Sequence, residues 1–394
     1  KKYNTTWSVG LGWNLHKEKF IMNNFNWINL LKLRASIGNP GNQNYDSAQT
    51  LLTYVFQYGS MNYFGLGAIL NQVGNPDLKW QKTLDKNIGL DLTLLNNRLN
   101  VNLDYYDKLT DPLLAAVSVP SSVGSKRVMT NVGSQRTQGV SGTVKYSPVY
   151  HPEERINWTL SASFKHQKAK YEDIGNSLDQ FNKENLNTSL VRYYDGGSPT
   201  ALWAVRSLGI NPSDGRELFL TKEGTYTFEY DTEDEVVVGN SEPKLEGVLG
   251  STLYWKGFSF SLYFRYSLGA DVFTEATYNK VENISLAGLK SNQDKRALHD
   301  RWQKPGDHAK FKGISLTETT PISSRFVLRE NYIKAESISV GYDFESQAVQ
   351  KLGIQSLRLQ ANTTDLFRIS SIKEERGIEY PFARSFSFSL SAMF

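Results

Sequence analysis

The sequence predicts an all-β fold: a transmembrane antiparallel β-barrel wall of about a dozen long strands. Three observations predict it. Apolar and polar residues alternate with period two along most of the chain, and no segment of period 3.6 competes. The alternating segments run about 10–16 residues, against a mode of ~5–6 in globular proteins and about 9–11 for a membrane-spanning strand. The connections are lopsided, some very short and others long and polar, as in outer-membrane barrels.

The elements follow in order. Trp7, Val9, Leu11, Trp13 and Leu15 alternate with Ser8, Gly10, Gly12, Asn14 and His16. Leu31, Leu33, Ala35 and Ile37 come next, against Lys32, Arg34 and Ser36. Ile88, Leu90, Leu92 and Leu94 are followed by Leu99, Val101, Leu103 and Tyr105. Between them Asn96-Asn97 predicts a two-residue hairpin turn, because Asn tolerates positive φ. Further strands centre on Trp158 to Phe164, Phe258 to Tyr266, Ile338 to Phe344, Leu357 to Ala361 and Phe386 to Phe394. Lys256-Gly257 predicts a second tight turn, and residues 172–245 and 270–325 read as long folded loops.

What the greasy faces touch is the next question. A soluble β-sandwich also buries one face of each strand. Strand length argues for lipid. So do aromatics near the ends of the stripes (Trp7, Trp13, Tyr105, Trp158, Trp255 and Tyr342), placed as an interfacial girdle would be. The last strand keeps its apolar alternation through Phe386 and Phe388 to Phe394, which suits a closing strand that signals barrel insertion. Mean hydropathy is −0.44, a value that carries no weight against a barrel, whose strands average out. A net charge of +4, from 44 basic and 40 acidic residues, gives no case for nucleic acid. There is no cysteine, hence no disulfide framework or thiolate metal site.

Particular stretches then resemble the C-terminal part of the SusC/RagA family of TonB-dependent outer-membrane transporters. They are "NPDLKWQKT" (75–83) leading into residues 87–108, "VPSSVGSKRVMTNVGSQRTQGV" (119–140) with Asn131-Val132-Gly133, and "GINPSDGRELFL" (209–220). Residues 237–269, 329–344 and 380–394 complete the set in the family's order. The resemblance implies that residues 1–394 are roughly the C-terminal half of a 22-strand barrel, with the plug domain and earlier strands lying elsewhere. It also implies import of a glycan or peptide nutrient across the outer membrane, a SusD-like surface lipoprotein partner, and energy from the TonB complex acting through the plug. A soluble all-β carbohydrate-binding or adhesion protein, or a passive porin, are the alternatives.

No chemistry is expected. His16, His151, His166, His299 and His308 show no compact metal spacing. His299-Asp300 with Asp307-His308, and the acidic run at 231–235, read as solvated loops. No G-x-S-x-G or phosphate-cradling loop appears, so neither an enzyme nor a cofactor is predicted. Tyr193, Tyr194 and Trp203 are candidate substrate or partner contacts, since rings offer large area at little entropic cost. Packing within their own loop is the plainer reading.

Overall fold

The computed structural model describes residues 5–40, 50–63, 65–125, 127–315, 317–344, 353–373 and 384–394. Residues 380–383 of the closing motif lie outside them. β1 (Trp7–Asn14) and β2 (Ile28–Asn39) open the wall, and β3 (Thr53–Asn62) and β4 (Gly65–Gln72) form a hairpin outside it. β5 (Lys82–Leu94) and β6 (Leu99–Asp111) return to the wall, before a second outside hairpin of β7 (Leu113–Ser118) and β8 (Arg127–Val132). β9 (Ser134–His151) and β10 (Ile156–Glu172) continue the wall. A separate small sheet follows: β11 (Ala201–Ile210), β12 (Glu217–Leu220), β13 (Tyr226–Thr227) and β14 (Glu235–Asn240). β15 (Leu245–Trp255), β16 (Phe258–Phe273), β17 (Val327–Phe344), β18 (Ser356–Thr364), the short β19 (Arg368–Ser370) and β20 (Ser385–Met393) finish the wall.

The wall is one 12-stranded antiparallel sheet in the order β1-β2-β5-β6-β9-β10-β15-β16-β17-β18-β20, with β19 beside β17. Among the described residues β1 pairs only with β2 and β20 only with β18, so each leaves one edge open.

Register puts every greasy stripe on one face. Trp13, Leu33, Leu90, Leu103, Gly142 and Phe164 form one row across six strands. The next row is Leu11, Ala35, Ile88, Tyr105, Val140 and His166. The opposite face carries Arg34, Gly89, Asp104, Ser141, Lys165 and Glu246 in one row. Pro148, which cannot donate to a ladder, sits where β9 slips register against β10.

Two local expectations are corrected. The β5–β6 turn spans residues 95–98, and Leu95 joins Asn96 and Asn97 at positive φ, so the hairpin is longer than two residues. β1 stops at Asn14, and Leu15 and His16 enter a 3-10 turn instead of extending the alternation. The Lys256-Gly257 turn is as expected: both residues have positive φ and Trp255 pairs with Phe258.

The burial pattern inverts that of a globular β protein. Leu11 on the apolar face is 76% exposed, Ile88 61% and Phe388 78%. The fully buried side chains, such as Val205, Val281, Phe326 and Ser323, lie in the segments between wall strands.

Candidate functional site

Two long segments, 173–244 between β10 and β15 and 274–326 between β16 and β17, emerge at the same end of the wall. Each folds around its own apolar residues. Ile174 and Leu178 pack with Tyr171 and Val132 in one cluster, and Val281, Ala297, Phe311 and Phe326 form another. The segments also join. Val205 of β11 bridges to Ser323, and the Ser207 amide donates to Ser324 Oγ at 2.9 Å.

At the junction lies a buried charge cluster. Arg325 Nη2 is 2.9 Å from Glu217 on β12 and 2.9 Å from Glu282. Ser323 Oγ donates to Glu217 at 2.6 Å, and Thr320 Oγ1 donates to Glu282 at 2.9 Å. The Arg301 guanidinium donates to the carbonyls of Glu282, Ala297 and Lys312. Burial acts to lower Arg325, but hydrogen bonds to Glu282 and Glu217 outweigh it and raise its pKa. Burial lowers Arg301, with Glu282 opposing, and raises Tyr230 and Tyr278. A second buried pair, Arg192 with Glu235, is bidentate at 2.8 and 2.9 Å and ties residue 192 to β14. The six charged residues lie far apart in sequence, and only Glu217, within 209–220, and Glu235, at the end of the acidic run, fall in stretches that the sequence singles out.

The motifs that the sequence does mark are turns. In "NPSDG", Asn211 Oδ1 accepts the Ser213 amide at 3.0 Å and Asp214 accepts that of Arg216 at 3.2 Å. Gly215 has φ +73°, and a Cβ there would stand 2.5 Å from the Trp302 ring, so this glycine admits the indole. The acidic run is spent on structure: Asp231 accepts the Glu233 amide, Asp234 that of Lys222, and Glu235 pairs with Arg192. Among the described residues no group of three or more His, Asp or Glu side chains converges as a metal site would.

The three aromatic candidates part company. Tyr193 faces inward: its ring stands 5.4 Å from Tyr171 and 5.5 Å from Phe181, and its backbone exchanges two hydrogen bonds with the Asn182 side chain. It lines an apolar cavity of about 430 Å³ with Leu113, Met129 and Ile174. Tyr194 and Trp203 pack together at 5.3 Å, with Tyr194 exposed. Of the girdle candidates, Trp158, Trp255 and Tyr342 lie at the short-turn end, where Phe258 stands 4.4 Å from Tyr342. Tyr105 is the middle residue of β6, away from either end, and Trp7 and Trp13 mark opposite ends of β1. Phe386, Phe388 and Phe394 are exposed on or just after β20.

The polar face of the wall below these loops is a ladder of ion pairs. Arg34 reaches Asp91 at 2.8 Å and Asp104 at 3.1 Å, crossing over Gly89, where a Cβ would stand 2.6 Å from both partners. Lys108 pairs with Asp85 at 3.1 Å, Lys165 with Glu246 at 3.1 Å and Arg265 with Glu336 at 2.6 Å. Two depressions centre on this face, one near Arg34 and Asp104 and one near Lys165 and Glu246.

A family model described as TonB dependent receptor-like, beta-barrel, matches residues 1–267. The TonB-dependent receptor P39 of Formosa agariphila is 26% identical over 416 residues, covering 92% of this chain and 39% of that protein. The TonB-dependent receptor SusC of Bacteroides thetaiotaomicron is 26% identical over 422 residues, covering 100% of this chain and 40% of that one. A solved structure of the RagAB peptide transporter superposes with a TM-score of 0.76 at 22% identity, covering 93% of this chain and 39% of that one. The RagAB importer in its closed-closed state gives 0.75 at 21%, covering 92% and 39%. The chain therefore spans 39–40% of the length of these relatives. With matching sequence, wall topology and fold, it belongs to the TonB-dependent receptor-like β-barrel family.

Proposed function

We propose that this chain forms part of the lipid-facing wall, and two of the outward loops, of an outer-membrane importer of a nutrient too large for porins. In this reading the apolar face meets lipid and the ion-paired face lines a wide lumen. The open edges of β1 and β20 take up the remaining barrel strands. The folded segments 173–244 and 274–326 receive a SusD-like surface lipoprotein, the substrate is a glycan or a peptide, and TonB supplies the energy. The role is transport, with no covalent step.

One observation carries the reading. The apolar rows of the wall are exposed across many strands while the buried core lies in the loops, an arrangement that is viable in lipid and costly in water. The likeness to a structure described as a peptide transporter supports peptide as one of the two cargo classes.

Neighbouring residues of β6 test it in the full-length protein. Leu103 lies on the apolar face and Asn102 on the polar face. Leu103→Arg should cost about 2–4 kcal/mol near the bilayer midplane, whereas Asn102→Arg should change folding in lipid vesicles little. Equal tolerance of the two would sink the membrane assignment.

A further inference from the structure

The polar face of the wall turns apolar at one place. Six residues beyond Asp104, Ser141 and Lys165 along their strands, on the same face, stand Thr110, Gln135 and Tyr171. That length of strand sets the new row roughly 20 Å from the ion-pair ladder, at the long-loop end. The cavity of about 430 Å³ sits against it, lined by both Gln135 and Tyr171. Leu113, Ala115 and Val132 of the β7–β8 hairpin contribute one part of the lining, and Ile174, Leu178 and Phe181 another.

Polar contacts brace this frame. At the base of the hairpin the Leu113 amide donates to the Gly133 carbonyl at 3.0 Å. Further along, Ser118 Oγ donates to Glu184 at 2.7 Å, and Arg127 lies 3.7 Å from Glu184 with its guanidinium 4.7 Å from the Phe181 ring. Asp195 accepts the Ile174 and Gly175 amides at 2.6 and 3.0 Å. The cavity cannot close without breaking contacts of this kind. Tyr171 is 7% exposed, yet neither its hydroxyl nor that of Tyr193 hydrogen-bonds to another described residue. A phenol so buried ordinarily has a partner.

We propose that this cavity is a subsite for apolar side chains of a peptide cargo, with the Tyr171 hydroxyl available to a cargo carbonyl. The inference rests on the import reading and deepens it by choosing between its two cargo classes. A glycan carries hydroxyls on every edge, and burying them against Leu113, Ile174 and Leu178 would leave them unpaired. A peptide brings aliphatic or aromatic side chains that such a lining desolvates favourably, and carbonyls that accept from a phenol. A dry apolar cavity of ~150 Å³ already takes benzene, so this one has room for more than one side chain. Its size and its few placed polar groups are those of a ligand pocket.

Full-length protein, with any lipoprotein that co-purifies, is titrated calorimetrically in mild detergent with two hexapeptides of equal charge. One carries Phe and Leu at its centre, the other Asn and Thr. A neutral glucan hexamer is the third probe. The Phe-Leu peptide should bind at least about tenfold tighter than the Asn-Thr peptide, as burial of an apolar side chain requires, and the glucan should not displace it. Ala115→Phe, which fills the cavity, should abolish the preference. A second readout needs no variant: with p-benzoyl-phenylalanine in place of its Phe, the peptide should crosslink on irradiation to β7, β8 or residues 171–193. Equal affinity for the two peptides, binding of neither, binding of the glucan alone, an unchanged preference in folded A115F, or crosslinks confined to other segments overturns the proposal and leaves the import reading standing. A protein that never enters detergent micelles overturns the membrane reading itself, and that result appears before any peptide is added.

Discussion

Arg325 holds two carboxylates of the loop core, and among the described residues neither forms an ion pair with another side chain. Replacing it with Met leaves Glu217 and Glu282 buried without an ion-pair partner, at a cost of about 3–5 kcal/mol. Limited proteolysis of the full-length R325M variant should cut segments 173–244 and 274–326 at much lower protease concentration, with the wall intact. Gly215→Ala strikes the same unit differently. It combines a strained φ with a clash against Trp302, and should cost about 1–3 kcal/mol. Asp294 gives a pH signature. A hydrogen bond from Arg296 holds its carboxyl at about 2, against an ordinary value of 3.8. A depressed carboxylate stabilises the fold fully above its unfolded value and loses that contribution as pH falls through the folded one. Local protection around residues 294–300 should therefore weaken between about pH 4 and pH 2, and D294N should show no such limb.

At the scale of the element, the wall was legible and the loops were not. A period of two is a local signal, so Ile88 to Leu94 and Leu99 to Tyr105 could be assigned to one face before any pairing was known. Turn length was harder. The positive φ of Leu95 is imposed by the register of Leu94 against Leu99, which no single-residue preference reports. β11 to β14 escaped notice because their burial comes from the partner segment, not from alternation. The paired motifs at 75–83 and 119–140 are explained only in three dimensions. The Asn131 side chain both accepts the Lys79 amide at 2.7 Å and donates to the Lys79 carbonyl at 3.0 Å, and Asn75 donates to Met129 O. Asn131→Ala should cost about 1–3 kcal/mol and free this segment. Leu78 is 3% exposed, and the chain has no cysteine, so thiol labelling of L78C reads the release. Labelling as slow in N131A/L78C as in L78C would show that the bridge does not hold the segment.

For the whole molecule, the candidate site divides along the same line. Tyr193, Tyr194 and Trp203 could be singled out as aromatics in a long loop, but only the packing shows that Tyr193 turns inward while Tyr194 stays exposed. Of the charged residues that organise the loop core, Arg192, Glu282, Arg301 and Arg325 gave no signal, because ion pairs across 43 and 108 residues leave no periodic trace. The open edges of β1 and β20 lead to a prediction at this scale. Each unpaired strand edge is costly in lipid, so the assembly purified from the outer membrane through these residues should exceed twice the 44.6 kDa of this chain, and the proposed function adds that a lipoprotein should accompany it. A 44.6 kDa species in the soluble fraction would contradict it.

The Arg325 cluster has a bearing on recognition. Because it joins the 173–244 and 274–326 segments through buried contacts, a partner arriving at that surface meets an ordered platform. Association then gives up little chain entropy, and affinity is set by the contacts themselves. Calorimetry of docking by the proposed lipoprotein should accordingly show the heat-capacity change of rigid surfaces meeting, without the larger change that accompanies coupled folding.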